Sequence, residues 1–332
     1  MEGKLPQPAG SEAERVAGGE IAAIERIHRT LPLPPSDEVW IGDDAAVLRG
    51  QAGPLLVSVD LTVGGVHADL ELVSVSDLGW KALASSVSDM AAMGGRPERI
   101  VVAVAAPSDT DLDQLYEGIR SAAAFHECTV VGGDLSSADE IVVSVTVCGG
   151  LRGPLSRGPV LRSGAGSGDA LLVTRPLGRS AAGLRLLRRR RAAGSGASGT
   201  GEIATSLEEA HRRPVARILE GEVARLSGAT AMIDLSDGLT LDVRRLAKAS
   251  QVGVQIESLP VAEGATEEEA LSGGEDYELM IAAPDASELA RAFADAGLPA
   301  PIEIGHCTAD REQRTFMSGP LPEGGYQHSF GR

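Results

Sequence analysis

Short apolar runs alternate with helix-spaced segments along most of the chain, and the two patterns predict strands and amphipathic helices. Ile21, Ile24 and Ile27 recur at helical spacing and predict a helix over 19–29. Asp77 is a suitable N-cap for a helix that would run to Met90 and end before two glycines. Further helices are predicted over 111–126, 180–191, 206–226, 239–250 and 287–296. Strands are predicted over 55–60, 100–106, 129–131, 141–148, 170–174, 231–234, 252–257, 277–283 and 302–304.

These elements divide into two halves of similar size, each mixing strands with helices. We therefore expect an α+β protein with two α/β domains, one over 18–150 and the other over 151–332. Residues 1–17 are polar and predict a loose tail. A Gly/Ser/Ala stretch over 192–201 follows a run of four arginines. It predicts a flexible surface loop, with an anion-binding flap as the alternative.

The composition is that of a globular protein with an aliphatic core. Hydrophobic residues make up 43% of the 332 positions and aromatic residues only 3%. The formal net charge is −17, which argues against nucleic acid as a partner because phosphate backbones favour basic surfaces. An anionic substrate would need metal ions or a local arginine to bind such a protein.

The cysteines and the apolar runs bear on location. Cys128, Cys148 and Cys307 are odd in number and show no metal-ligand spacing, which favours reduced thiols in a reducing compartment. The N-terminus shows no signal segment, and no apolar run approaches the ~20 residues that span a bilayer. We expect a cytoplasmic protein with no membrane partner.

Aspartates recur at the ends of apolar runs and beside glycines. The set is Asp43, Asp44, Asp60, Asp89, Asp134, Asp234 and Asp237. Any one of them could cap a helix or turn, and for Asp43 we favour that interpretation. Asp89 is different, because a carboxylate among Ala, Val and Met in a helix is costly unless it is paired or metal-bound. Together the acids indicate divalent cations held against a polyphosphate.

Familiar nucleotide-binding signatures are absent from the sequence. It contains no GxxxxGK[ST] loop, no GxGxxG behind a first strand and no HRD or DFG motif. The glycine-rich pieces are short and adjoin acids instead. Pattern and composition therefore indicate a metal-dependent enzyme that acts on phosphates, and no more than that.

Several segments, in order, resemble the thiamine-monophosphate kinase family. They are IGDDAAVL (41–48), SVDLTVGGVH (58–67), KALASSVSDMAAMGG (81–95), VVGGDLS (130–136), LRSGAGSGDALLVT (161–174), IDLSDGL (233–239) and LSGGEDYEL (271–279). The resemblance implies two α/β domains, an N-terminal domain that contributes strands to a dimeric β-barrel, and a C-terminal α/β sandwich. It also implies ATP as co-substrate, several Mg²⁺ ions and a homodimer.

The resemblance also implies roles for individual residues. The Mg²⁺ ligands would be Asp44, Ser58, Val59, Asp60, Asp89, Asp134, Asp234 and Asp237. The ATP contacts would be Tyr116, Gly133, Asp134, Arg162 and Ser236. The contacts to thiamine monophosphate would be His67, Glu275 and Glu323. Taken alone, each has a structural alternative: His67 could be an ordinary loop histidine and Arg162 the partner of Asp169.

Two positions depart from the family pattern. Val59 stands where the family often has Thr, so a metal contact there must use the main-chain carbonyl. Glu323 stands where the family usually has an aromatic residue facing the substrate. Either Tyr326 or Phe330 would then pack on the pyrimidine ring, or that contact is weaker. A carboxylate near the cationic thiazolium is electrostatically acceptable.

The implied reaction is transfer of the ATP γ-phosphoryl group to thiamine monophosphate, giving thiamine diphosphate. The acceptor is an ionised phosphate oxygen, so no general base is required and no catalytic side chain is assigned. One alternative is a related ATP-dependent enzyme with another acceptor. The other is a non-catalytic nucleotide- or metal-binding protein.

Overall fold

Two β-sheets with flanking helices form the protein in this computed structural model, which describes residues 20–38, 40, 46–50, 53–154, 157–193 and 201–328. The predictions for Asp43, Asp44, Phe330 and most of the 192–201 stretch lie outside the described residues. The α+β class with two sheet-containing parts is confirmed.

The first sheet has four strands in the order β1-β4-β2-β3. They are β1 Leu56–Val63, β2 Arg96–Ala106, β3 Thr129–Ser137 and β4 Val142–Gly150. β4 runs antiparallel to both β1 and β2, whereas β2 and β3 are parallel. The accompanying helices are α1 Glu20–Thr30, α2 Val75–Ala92 and α3 Leu112–Phe125. Since parallel neighbours need a crossover, α3 connects β2 to β3.

The second sheet has seven strands in the order β11-β10-β7-β9-β5-β8-β6. They are β5 Ala170–Val173, β6 Ala231–Asp234, β7 Gly253–Ile256, β8 Leu279–Ala283, β9 Ile302–Thr308, β10 Arg314–Phe316 and β11 Gly319–Pro320. The helices are α4 Arg179–Ala193, α5 Glu202–Arg212, α6 Ile218–Leu226, α7 Leu239–Ser250, α8 Glu267–Ser272 and α9 Ala286–Asp295. The strands β5, β6 and β8 are buried along their whole length, which explains their continuous apolar runs.

Helix α2 joins the two sheets, because it packs on β1 and β4 and also contacts α6 and β6. Its N-cap is Ser74, and Asp77 lies three positions further on as the second member of a capping box. The prediction of Asp77 as the N-cap was therefore wrong by three residues. Asp77 occupies the N3 position of the helix, where its carboxylate accepts a hydrogen bond from the Ser74 N–H. All residues from 76 to 92 are buried except Asp89.

Several predicted boundaries were also wrong, and two of them differ most from the structure. The helix predicted over 206–226 is two helices, because Pro214 follows Arg213, whose backbone is no longer helical (φ −133°, ψ 69°). The strand predicted over 129–131 continues to Ser137. Asp134 therefore lies within β3 opposite Ala103, and not in the loop after a strand.

The helices and the cysteines bear on the expectations about membranes and thiols. Among the described helices, none is both long and apolar enough to cross a bilayer. The three cysteines are free thiols; Cys128 and Cys307 are buried and Cys148 is half-buried.

Candidate active site between the two sheets

Three of the predicted metal ligands meet where α2 lies between the sheets. Ser58 of β1 donates a short hydrogen bond to the Asp89 carboxylate. The neighbouring Ser88 points the other way and donates to Asp234 Oδ2 at 2.8 Å. Asp234 is the last residue of β6, so adjacent residues of α2 contact a strand from each sheet.

The two carboxylates at this junction are electrostatically unfavourable in the free protein. Asp234 is almost fully buried, and burial together with the charge of Asp89 raises its pKa to about 7. Burial also raises the pKa of Asp89, and the nearby Asp60 raises it further. A pair of carboxylates held together against their own repulsion is typical of a site that binds a cation.

A cavity of about 460 Å³ opens at this junction, with Ser58, Asp89 and Arg162 among its lining residues. Its remaining walls are mostly apolar, including Leu56 and Met90. The Arg162 guanidinium lowers the pKa of both Asp89 and Asp234. The cavity therefore combines carboxylates, a guanidinium and apolar surface, and its volume is that of ordinary small-molecule sites.

The donor set is compatible with Mg²⁺ but does not enclose it. Within the described ranges, no three acidic, histidine or cysteine side chains come close enough to hold a metal ion by themselves. Mg²⁺ commonly takes only one or two carboxylates and completes its shell with phosphate oxygens and water. Asp89 and Asp234 fit that requirement.

A second loop, residues 273–278, lies against the segment 235–238. Glu275 and Tyr277 both have left-handed backbones, with φ of +57° and +50°. Their N–H groups donate to the carbonyls of Ser236 (2.7 Å) and Leu235 (3.0 Å). These bonds hold the LSGGEDYEL and IDLSDGL motifs together in a conformation that side-chain-bearing residues rarely adopt.

The two acids that follow Glu275 are both anchored on the second half. Asp276 accepts from the N–H groups of Gly178 and Ser180, at 2.6 and 3.1 Å. Glu278 accepts from Arg217 at 2.5 and 2.8 Å. With its neighbours anchored on the second half, the Glu275 side chain extends toward α2.

Lys81 is the partner that Glu275 meets there, and it is not among the predicted site residues. Its ammonium donates to the two Glu275 carboxylate oxygens at 3.1 and 3.0 Å and to the His67 carbonyl at 3.2 Å. The side chain is 3% exposed. The sequence signal that could have identified Lys81 was a lysine in a helix made mostly of small and apolar residues. One ammonium thus links two predicted substrate residues from different halves.

Glu275 also adjoins a cavity of about 440 Å³ on its other side. His211 and Ser180 line this cavity with Glu275. His211 Nδ1 lies 3.6 Å from the Glu275 carboxylate and 3.0 Å from Ser180 Oγ. Burial lowers the pKa of His211 to about 3, so this imidazole is neutral at physiological pH.

The C-terminal segment reaches His67. The Tyr326 N–H donates to the Asp237 carbonyl at 2.9 Å, and the His328 ring lies 5.2 Å from the His67 ring, centroid to centroid. Glu323 instead has a side chain that is 91% exposed and pairs with Arg244 at 3.2 Å. The structure therefore brings His328 to His67 and Tyr326 to His328, whereas Glu323 lies beside Arg244.

The other predicted residues occupy separate surroundings. Asp134 is an electrostatic neighbour of Tyr116, whose pKa is raised to about 12 by burial and then by that charge. At Gly133 a Cβ would lie 2.1 Å from the Val102 carbonyl oxygen, so strand pairing by itself requires glycine there. Asp237 pairs with Arg245 at 2.5 Å.

Comparison with known proteins defines the class first. Residues 42–151 match the family model described as AIR synthase related protein, N-terminal domain, and residues 166–318 match its C-terminal domain counterpart. The chain is thus of the AIR synthase-related class. It is 37% identical over 278 residues to thiamine-monophosphate kinase of Mycobacterium tuberculosis H37Rv, covering 79% of this chain and 80% of that one.

Other relatives narrow the class. Thiamine-monophosphate kinase of Escherichia coli K12 is 35% identical over 324 residues, covering 92% of this chain and 96% of the relative. The crystal structure of the Stenotrophomonas maltophilia K279a enzyme superposes with a TM-score of 0.77 at 31% identity, covering 91% and 98% of the two chains. AaThiL complexed with AMPPCP and TMP superposes with a TM-score of 0.72 at 29% identity, covering 97% and 99%. The chain belongs to the thiamine-monophosphate kinase family.

Proposed function

We propose that the chain phosphorylates thiamine monophosphate with ATP and so forms thiamine diphosphate. Relatives with that activity in their names match most of its length, and one similar structure holds an ATP analogue together with TMP. The observation that carries the proposal is the meeting of Asp89 with Asp234 beside Arg162, next to a loop that presents Glu275. These groups provide a cation-binding end and a separate end for an organic substrate.

The proposed roles divide between metal binding and nucleotide binding. Asp60, Asp89 and Asp234, with Ser58 and Asp134, would hold Mg²⁺, which when bound neutralises phosphate charge. Arg162 would contact ATP from the rim of the cavity that Asp89 lines. Because net charge is −17, two anionic substrates would be repelled without such positive charge. The chain's own contribution is to orient donor and acceptor, and we assign no general base.

We assign the remaining predicted contacts from the family resemblance. Asp44, Val59 and Asp237 would complete the metal site, and Tyr116, Gly133 and Ser236 the ATP site. His67 and Glu275 would contact thiamine monophosphate, with the Glu275 carboxylate suited to a cationic thiazolium. Glu323 stays a proposed contact. His328 and Tyr326 are further candidates, because the His328 ring packs near His67 and the Tyr326 ring packs against His328.

A direct assay tests this function. Purified protein with ATP, Mg²⁺ and thiamine monophosphate should form thiamine diphosphate and ADP in equal amounts. ATP turnover on a different acceptor would instead favour another AIR synthase-related activity. Nucleotide binding without any turnover would favour a non-catalytic protein.

A first prediction concerns the substitution of Lys81. Lys81→Met should raise the KM for thiamine monophosphate about tenfold or more, with the KM for ATP little changed, because both Glu275 and the His67 loop lose their shared anchor. Initial-rate kinetics with each substrate varied measures this. Arg96→Met is the matched control, since it breaks another ion pair between the halves, with Glu222 at 2.6 Å. Equal effects of the two variants would contradict the assignment.

We also propose that 18–150 forms an ATP-binding and dimerisation domain, that 151–332 completes the site, and that the dimer forms a β-barrel from the first sheet. Val57, Val59, Leu61 and Val101 are all exposed on one face of that sheet. Val59 and Val101 both pair with Thr146 and so lie in one row. An apolar face of this kind is typical of a protein interface. We propose separately that the protein is cytoplasmic, because its three cysteines are free thiols.

A second prediction concerns the apolar face of the first sheet. Val59→Glu should convert a dimer into monomers, because a charge would be buried at the centre of the interface. Analytical ultracentrifugation reports the mass directly. Leu33→Glu is the control, since Leu33 is also exposed but lies outside the sheet. A wild-type monomer, or a Val59→Glu dimer of unchanged affinity, would exclude this interface.

A further inference from the structure

Tyr277 is a large residue in a strained position beside the proposed site. Its φ is +50°, a conformation that is an outlier for a bulky side chain. The Leu235 carbonyl accepts from its N–H at 3.0 Å and holds it in place. Strain of this kind persists where the surrounding structure imposes it, and it concentrates at functional sites.

The side chain of Tyr277 lies within reach of charges from both halves. The residue is buried, with 7% exposure. Burial raises the pKa of the hydroxyl well above its ordinary value, and the charges of Glu275, Asp60, Asp234 and Asp237 raise it further. The charges of four predicted site acids, one from β1 and three from the second half, thus act on this phenol.

The hydroxyl has no protein partner to use that proton. Among the described residues, the neighbouring carboxylates of Glu275, Asp276 and Glu278 all accept hydrogen bonds. The Tyr277 hydroxyl makes no hydrogen bond there, and it is not one of the fully enclosed unpaired polar atoms. Buried tyrosine hydroxyls usually find a partner, so a hydroxyl that is neither bonded nor fully enclosed is free to donate to a ligand.

We propose that the Tyr277 hydroxyl donates a hydrogen bond to a phosphate oxygen of bound thiamine monophosphate. The inference rests on the proposed function. The acceptor phosphate must lie between the groups proposed to contact thiamine and the carboxylates proposed to hold the metal of ATP. Tyr277 adjoins Glu275 on the first side and Asp60 and Asp234 on the second. Among carboxylates that repel phosphate, a neutral O–H is an attractive contact that needs no added cation.

The test is Tyr277→Phe, which keeps the ring and removes only the donor. We expect kcat/KM for thiamine monophosphate to fall ~10- to 100-fold, the range for a hydrogen bond to a charged group, with the KM for ATP little changed. The unfolding temperature of the free protein should not fall, because the hydroxyl has no partner there. Tyr277→Leu, which also removes the ring, should lower the unfolding temperature and so separates packing from donation.

A binding comparison distinguishes this inference from the proposed function. By calorimetry, Tyr277→Phe should weaken the binding of thiamine monophosphate and leave the binding of unphosphorylated thiamine unchanged. Equal losses for both ligands, or unchanged kinetics and binding for thiamine monophosphate, would overturn the phosphate contact. If the wild-type protein forms no thiamine diphosphate, the proposed function fails, and the two binding curves still decide whether Tyr277 reads a phosphate.

Discussion

Asp60→Asn should lower the rate of thiamine diphosphate formation on the order of 1,000-fold, an effect as large as removing a main electrostatic group from an active site. Asp60 lies in β1, and its charge acts on His67, Asp89 and Tyr277. It is therefore near both the proposed metal and the proposed acceptor. Asn has the same shape, but it cannot supply the negative charge that a divalent cation requires.

Two controls separate this loss from damage to the fold. Asp139→Asn removes an exposed carboxylate of the same half and should leave activity unchanged. Thermal unfolding of Asp60→Asn should match or exceed the wild-type temperature, since a repulsion with Asp89 is removed. Activity within a few-fold of wild type would contradict the role of Asp60.

Asp234→Asn should abolish activity and yet stabilise the metal-free protein. Asp234 is almost fully buried, with a pKa raised to about 7 by desolvation and then by Asp89. An amide removes the charge while its oxygen can still accept from Ser88. We expect the free energy of unfolding to rise by about 1–3 kcal/mol at pH 8, a usual gain when a strained functional group is relieved.

The same variant predicts a pH dependence. A carboxyl whose folded pKa lies above its unfolded value binds more protons in the folded state, so stability falls as pH rises from about 4 to about 7. Urea unfolding in EDTA at pH 5 and pH 8 should show this fall for wild type and a smaller one for Asp234→Asn. An unchanged slope, or destabilisation at pH 8, would show that Asp234 is not held charged against its surroundings.

The local elements were largely predictable, because their patterns are local. The segments 231–234 and 239–250 follow directly from one buried run and one amphipathic period. The break at Pro214 was missed because the apolar spacing continues past it. The short strands Arg314–Phe316 and Gly319–Pro320 were missed because they have too few residues to show alternation.

The site was predictable where a residue type was out of place and unpredictable where a contact was distant. Asp89 was identified because an acid is costly in an apolar helix, and it is the one residue of 76–92 that is not buried and also lines the cavity. The Lys81–Glu275 pair joins positions 194 residues apart, and no local pattern predicts such a contact. The left-handed conformation of Tyr277 likewise depends on bonds to a remote loop.

The central claim is that acids from both halves act together on one metal-bound ATP. Calorimetric titration of a non-hydrolysable ATP analogue, with Mg²⁺ and then with EDTA, tests it on wild type, Asp60→Asn and Asp234→Asn. We predict tight binding only for wild type with Mg²⁺, because each half supplies a necessary part of the site. Equally tight binding in EDTA, or Mg²⁺-dependent binding that survives either substitution, would contradict the account.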